Sequence, residues 1–329
     1  FDETPEFPYN VIPDALHLTG SLMTWELSAD ETRFVARTVP RLEGLEVDAR
    51  GMALNTAPCP RWDDTWVLPE VQWEGPRVRV ALKGHFPKGC TVRQDLQLLD
   101  RDRLAALHLA AVWRSLGGTW QGSVREGVTP PSARRVARHE SRPWGEIVRG
   151  LNKRSDNAQT RLLYLLLGTR ADPNSAGQPT AQRAQAQVQR WMVEQGIPTD
   201  GLVLDNGSGL SRTERISARQ LALVLRAAWN GPHVHDLFMS LPVAGVDGSL
   251  KVRFKDSPAS GRARLKGGTL RNVVSVAGIV PDPQGRPMAV VAMINHDRAG
   301  QARGALDALV DWVSRGQPAA APAREVRAP

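Results

Sequence analysis

Apolar and polar positions alternate with period two over residues 22–27, 32–39, 77–82 and 91–99. That is the pattern of half-buried strands. Pro40, Gly44, Pro58, Pro60, Pro69, Gly75, Pro76, Pro87 and Gly89 punctuate the same stretch, as turn formers do between strands. Residues 1–100 therefore read as an all-β module. The period changes at residue 101. The run RDRLAALHLAAVWRSL, 101–116, is apolar at helical spacing and stops at Gly117-Gly118, a good helix terminus. A short strand over 119–124 and an extended, proline-bearing connection over 127–143 are expected next.

Helical spacing then predicts helices over 144–151, 157–167, 181–195, 217–229 and 301–314. Ser217 with Gln220 resembles a capping box. Residues 171–180 and 237–250 read as loops. A short buried strand at 202–204 leads into DNGSGLSR, 205–212, a loop rich in glycine and small hydroxyl residues. Lys266-Gly267-Gly268-Thr269-Leu270 reads as an edge strand. Apolar strands over 273–280 and 288–295 follow, joined by the turn PDPQGRP. Three adjacent strands with helices before and after them suggest an antiparallel sheet covered by helices. The fold class is thus α+β with an accessory β-rich module. The expected division is 1–100 for that module, 101–316 for the helix-covered sheet and 317–329 for a flexible Pro/Ala-rich tail.

The 329 residues are enough for two or three domains, and a hydrophobic content of 41% supports real cores. No run of 18 apolar residues exists, so no helical membrane span is expected. The opening FDETPEFPYN has neither a basic nor an apolar leader region. A signal peptide is expected to have been removed or not included. The formal net charge of +8 suits an anionic partner such as nucleic acid, a membrane surface or a wall polymer. The arginines are scattered and no nucleic-acid signature is present, so nucleic acid is set aside. Trp62, Trp66 and Trp73 read as core or rim aromatics rather than a sugar platform. Cys59 and Cys90 admit two readings. They close a loop of about 30 residues as a disulfide, worth roughly 3–4 kcal/mol in the chain-entropy model, or they are two buried thiols. Neither has a Cys or His neighbour at zinc spacing, so no metal site is expected.

Chemistry concentrates in three places: Ser155-Asp156-Asn157, the loop 205–212, and the strand starting at Lys266. Alone, a Ser-x-Asn before an apolar helical run is most often an N-cap. In order and together, Ser-Asp-Asn followed by a lysine-led strand is the pattern that accompanies Ser-x-x-Lys in serine penicillin-interacting enzymes. With GSGLSR and LPVAGVDGSL between them, these motifs resemble the penicillin-binding protein 4 type (class C) of D-Ala-D-Ala carboxypeptidase/endopeptidase, over roughly residues 117–316.

The resemblance implies a β-lactamase/transpeptidase-like fold and an accessory β-rich insertion, with which a cysteine pair is consistent. It implies a serine acyl-enzyme peptidase, without cofactor, acting on peptidoglycan stem peptides in the periplasm and binding β-lactams. Membrane contact would be peripheral at most. Ser155 matches the serine that shuttles a proton, and Asn157 the asparagine that bonds the substrate amide. Lys266 matches the lysine that tunes the site and holds the substrate carboxylate. The strand 266–270 would pair with the peptide, and Thr269 would offer a hydroxyl.

Two departures stand out. The usual motif is Lys-Thr-Gly or Lys-Ser-Gly, and Gly267 removes that hydroxyl. Secondly, no serine in the chain has a lysine three residues later. The nucleophile is therefore expected outside this chain, which reads as a C-terminal portion. The alternative is a non-catalytic homologue that binds wall peptides or a partner.

Overall fold

A computed structural model describes residues 5–75, 77–170 and 177–316. The expected tail at 317–329 and part of the loop at 171–180 lie outside the described residues. The chain forms two compact units, Phe1–Arg138 and His139–Pro329. Its class is α+β, as the pattern predicts.

The first unit holds β1 (Met23–Ala29), β2 (Phe34–Val39), β3 (Leu45–Asn55), β4 (Trp66–Glu74), β5 (Arg77–Pro87), β6 (Thr91–Leu96) and α1 (Arg101–Ser115). One sheet has the order β2-β1-β6 and the other β3-β5-β4. The strict alternation in β1 buries Met23, Trp25, Leu27 and Ala29 on one face. These meet Val78, Val80, Leu82 and Phe86 of β5 and Leu96 of β6 in one core. Leu104 of α1 joins it, which places this helix with the first unit. Trp62 is buried, and Trp66 and Trp73 pack against the same core. Cys59 and Cys90 are bonded as a disulfide with a Cα separation of 5.4 Å, within the usual range.

Two strands escape the alternation rule. β3 runs parallel to β5, with a register shift between Asp48 and Gly51. There a Cβ on Gly51 would lie 2.8 Å from the Leu82 carbonyl oxygen. β4 contains Pro69, which is tolerated because β4 lies at a sheet edge. The expected strand at 119–124 is not formed: these residues take no regular structure and pair with no strand among the described residues.

The second unit holds α2 (Trp144–Arg154), α3 (Asn157–Thr169), α4 (Thr180–Glu194), α5 (Ala218–Trp229), α6 (Val234–Ser240), β7 (Arg264–Leu270), β8 (Val273–Pro281), β9 (Pro287–Asn295) and α7 (Arg303–Arg315). The sheet order is β7-β8-β9, antiparallel throughout. Val274, Val276 and Val280 of β8 and Leu265 of β7 pack with Leu306 and Val310 of α7. α5 packs on β9 and β8, and its Ser217–Gln220 capping box is complete. The expected strand at 202–204 is a single bridge, Val203 to Arg215. The expected loop at 237–250 begins instead inside the short helix α6. That helix is tied down at its end, where the Ser240 hydroxyl bonds the Leu237 carbonyl and accepts from Asn152 of α2.

Replacing both cysteines by alanine is expected to lower the stability of the first unit by about 3–4 kcal/mol. Denaturant unfolding followed by tryptophan fluorescence reads this directly, since Trp25 is fully buried in that core.

Candidate active site

The site is built on the turn between α2 and α3. α2 ends at Ser155, which takes the left-handed conformation at φ 58°, ψ 47°. A non-glycine residue there costs roughly 1–2 kcal/mol, and the geometry reverses the chain. Asp156 then caps α3: its Oδ1 accepts from the Gln159 N–H at 2.9 Å. The cap is therefore Asp156, neither Ser155 nor Asn157. Asn157 is the first residue of α3. Ser155, relieved of capping, points its hydroxyl at β7. Lys266 Nζ donates to Ser155 Oγ at 2.7 Å and to the Gly267 carbonyl oxygen at 2.8 Å.

Lys266 is half-buried. Its ammonium is pushed below the ordinary lysine value by burial, because loss of water disfavours the charged form. A lysine in that state gives up its proton more readily than one in water. Ser155, as acceptor from Lys266, keeps its own hydrogen for a third group. Chemically, such a pair can pass a proton from the ammonium through the hydroxyl.

β7 presents an open edge. Its start is covered on the outer side, where the Leu265 N–H bonds the Pro242 carbonyl at 2.9 Å. By antiparallel alternation the N–H and C=O groups of Gly267 and Thr269 point the same way. Beyond Leu265, β7 pairs with β8 alone among the described residues. A Cβ on Gly267 would meet Arg253 Nη1 at 3.6 Å, an ordinary contact, whereas one on Gly268 would lie 2.5 Å from Ser275 Oγ. Side chains alternate along the strand. Thr269 therefore shares the face of Leu265, toward α7, and Lys266 points to the other. Thr269 Oγ1 accepts from Arg303 Nη2 at 3.2 Å.

A part-buried ion pair fixes the turn. Lys153 Nζ donates to both carboxylate oxygens of Asp247, at 2.8 and 2.7 Å, and to the Leu241 carbonyl at 2.7 Å. Burial pushes the Asp247 carboxyl up, but the bonds from Lys153 and from the Val243 N–H outweigh it, and the group lies below its ordinary value. The loop 205–212 is held from within. Glu214 Oε1 accepts from the N–H groups of Asn206 at 2.9 Å and Gly207 at 2.8 Å. Gly207 has φ 76°, and a Cβ there would lie 2.9 Å from the Tyr164 side chain of α3. Glycine lets this loop seat directly on the helix that Asn157 begins.

Sequence patterning picks out Ser155, Asn157 and Lys266–Thr269. It misses Lys153, Asp247, Glu214 and Arg303. Asp247 lay within the motif LPVAGVDGSL and Lys153 two residues before Ser155, so proximity to a motif was the available signal.

Residues 40–315 match the D-Ala-D-Ala carboxypeptidase 3 (S13) family. The chain belongs to that family. Its fold is that of penicillin-binding protein 4: it superposes on the crystal structure of that protein from Haemophilus influenzae with a TM-score of 0.70 at 20% identity, covering 95% of this chain and 71% of that one. The D-alanyl-D-alanine carboxypeptidase of Actinomadura sp. (strain R39) is 30% identical over 232 residues, which is 68% of this chain and 42% of the relative. The D-alanyl-D-alanine carboxypeptidase DacB of Haemophilus influenzae is 28% identical over 65% of this chain and 46% of its own length. The matched region thus spans less than half the length of these curated relatives.

The Lys153–Asp247 pair generates a pH prediction. A carboxyl lowered in the folded state adds stability above its unfolded value of about 3.9, and that stability is lost as pH falls through the lower folded value. Asp247 is 39% exposed at its side chain, so the contribution is moderated to about 1–2 kcal/mol. Asp247→Asn is expected to unfold about that much more easily at pH 7 and to narrow the gap to the parent below about pH 4. Parallel urea titrations at the two pH values read the difference.

Proposed function

We propose that the chain supplies the proton-relay and substrate-edge side of a serine-type D-Ala-D-Ala carboxypeptidase/endopeptidase. Its substrates are peptidoglycan stem peptides in the periplasm, and β-lactams are its covalent inhibitors. The observation that carries the reading is the 2.7 Å bond from Lys266 to Ser155 beside an open strand edge. Family membership supports the same chemistry, and the disulfide suits an oxidising compartment.

The peptide substrate adds to β7 as an extra strand and bonds the outward N–H and C=O groups of Gly267 and Thr269. Asn157 bonds the substrate's backbone amide. A serine hydroxyl from outside this chain gives its proton to the lysine of its own Ser-x-x-Lys motif, and its oxygen attacks the carbonyl of the penultimate D-Ala. The C–N bond breaks, and the departing nitrogen takes the Ser155 proton, Lys266 replaces it, and the proton held by the nucleophile's lysine restores Lys266. D-Alanine leaves, and water hydrolyses the ester. No cofactor enters this sequence. Ser155 is not the attacking group, because its hydroxyl follows a helix end and has no lysine three residues on. The nucleophile and its lysine, the missing Ser-x-x-Lys, come from outside these 329 residues.

The absence of Ser-x-x-Lys from the sequence favours one other reading: a homologue that binds wall peptides without cleaving them. Labelled penicillin separates the two. Under the main reading the complete gene product forms a covalent adduct at a serine outside this chain. Lys266→Ala lowers the acylation rate by at least about a hundredfold, the lower range for acid–base groups. A complete product that takes no label belongs to the binding reading. An adduct whose rate Lys266→Ala leaves unchanged removes Lys266 from the chemistry.

A further inference from the structure

Gly267 leaves a position without the hydroxyl that would meet a carboxylate, and Lys266 does not take over that duty freely. Two of the three donors of its ammonium are engaged, one by Ser155 and one by the Gly267 carbonyl. It also points to the face of β7 opposite Thr269. On the Thr269 face stands Arg303, the first residue of α7. Its guanidinium is exposed and donates to Thr269 Oγ1 at 3.2 Å. Among the described residues it forms no ion pair. The other guanidinium beneath this strand, that of Arg253, is already paired with Asp307 of α7. Arg303 is therefore a cation beside Thr269 that no carboxylate neutralises among the described residues. The first turn of α7 carries no acidic residue to compete for it.

We propose that Arg303, together with the Thr269 hydroxyl, reads the terminal carboxylate of the substrate in place of the hydroxyl that Gly267 lacks. This rests on the peptidase reading above and adds its specificity determinant. A guanidinium is permanently charged and presents paired donors in one plane, which matches a carboxylate. A free peptide C-terminus satisfies it and an amide does not. Division of labour follows. Lys266 stays with Ser155 for proton transfer, and Arg303 binds the charge that marks the end of the chain. Position 267 admits a Cβ, since the nearest atoms to one built there lie at 3.6 and 3.9 Å.

The test compares binding of an acylated D-Ala-D-Ala dipeptide with its C-terminal amide, by titration calorimetry on the complete gene product. Binding is read apart from turnover. The parent is expected to prefer the free acid by about tenfold or more, the scale of one charge-assisted bond. Arg303→Gln should reduce that ratio to near one and leave amide binding unchanged. Arg303→Lys should keep part of the ratio. Arg303→Gln with Gly267→Thr should recover most of it. If Arg303→Gln keeps the parent's preference, this inference is overturned while the peptidase reading stands. If the parent binds neither peptide and takes no labelled penicillin, both fall. Thermal unfolding checks that Arg303→Gln folds as the parent does.

Discussion

The candidate site is built around one ammonium kept partly out of water. Lys266 is desolvated and its charged form is disfavoured. Its two acceptors, Ser155 Oγ and the Gly267 carbonyl, compensate for lost solvation. That single contact joins the α2–α3 turn to the edge of the sheet, across 111 residues of sequence. It makes the turn and the strand one site. A proton on Lys266 is loosely held, and the hydroxyl beside it has a hydrogen to give.

The surrounding structure serves that geometry. Ser155 is held in a left-handed conformation that glycine would adopt more cheaply. The strain persists because its neighbours fix it. Asp156 caps α3 on one side. Lys153 anchors the end of α2 to Asp247 on the other. Asn152 adds a bond to the buried Ser240 of α6. Backbone strain retained by several independent contacts marks a place where orientation matters more than local stability. The loop 205–212 follows the same logic, since Gly207 seats it against Tyr164 and Glu214 holds its N–H groups.

Much of this was legible in the sequence. Helices with clear 3.6-residue periodicity and stop signals, α1 to α5 and α7, fall within a few residues of their expected bounds. β1, β2, β5 and β6 follow from strict alternation. β3 and β4 do not, because a bulge beside Gly51 and a proline at position 69 break the pattern that alternation relies on. The opposite error occurs at 119–124, where the pattern is present and a partner strand is not. α6 has seven residues, too few for periodicity to register, and is held by tertiary bonds. The site divides the same way. Ser155, Asn157 and Lys266 lie in contiguous motifs and could be read. Lys153–Asp247 and Arg303–Thr269 are contacts between residues 94 and 34 positions apart, which no local pattern encodes. The cysteines were left open by composition, and only their proximity in space settles the bond.

The central claim is that Lys266 is a desolvated proton donor to Ser155. NMR titration of the Lys266 side-chain amine, assigned by comparison with Lys266→Arg, tests it directly. The account predicts a midpoint below the ordinary lysine value of about 10.4 and a change of that midpoint in Ser155→Ala. A Lys266 that titrates like a surface lysine, unaffected by loss of the Ser155 hydroxyl, would contradict it.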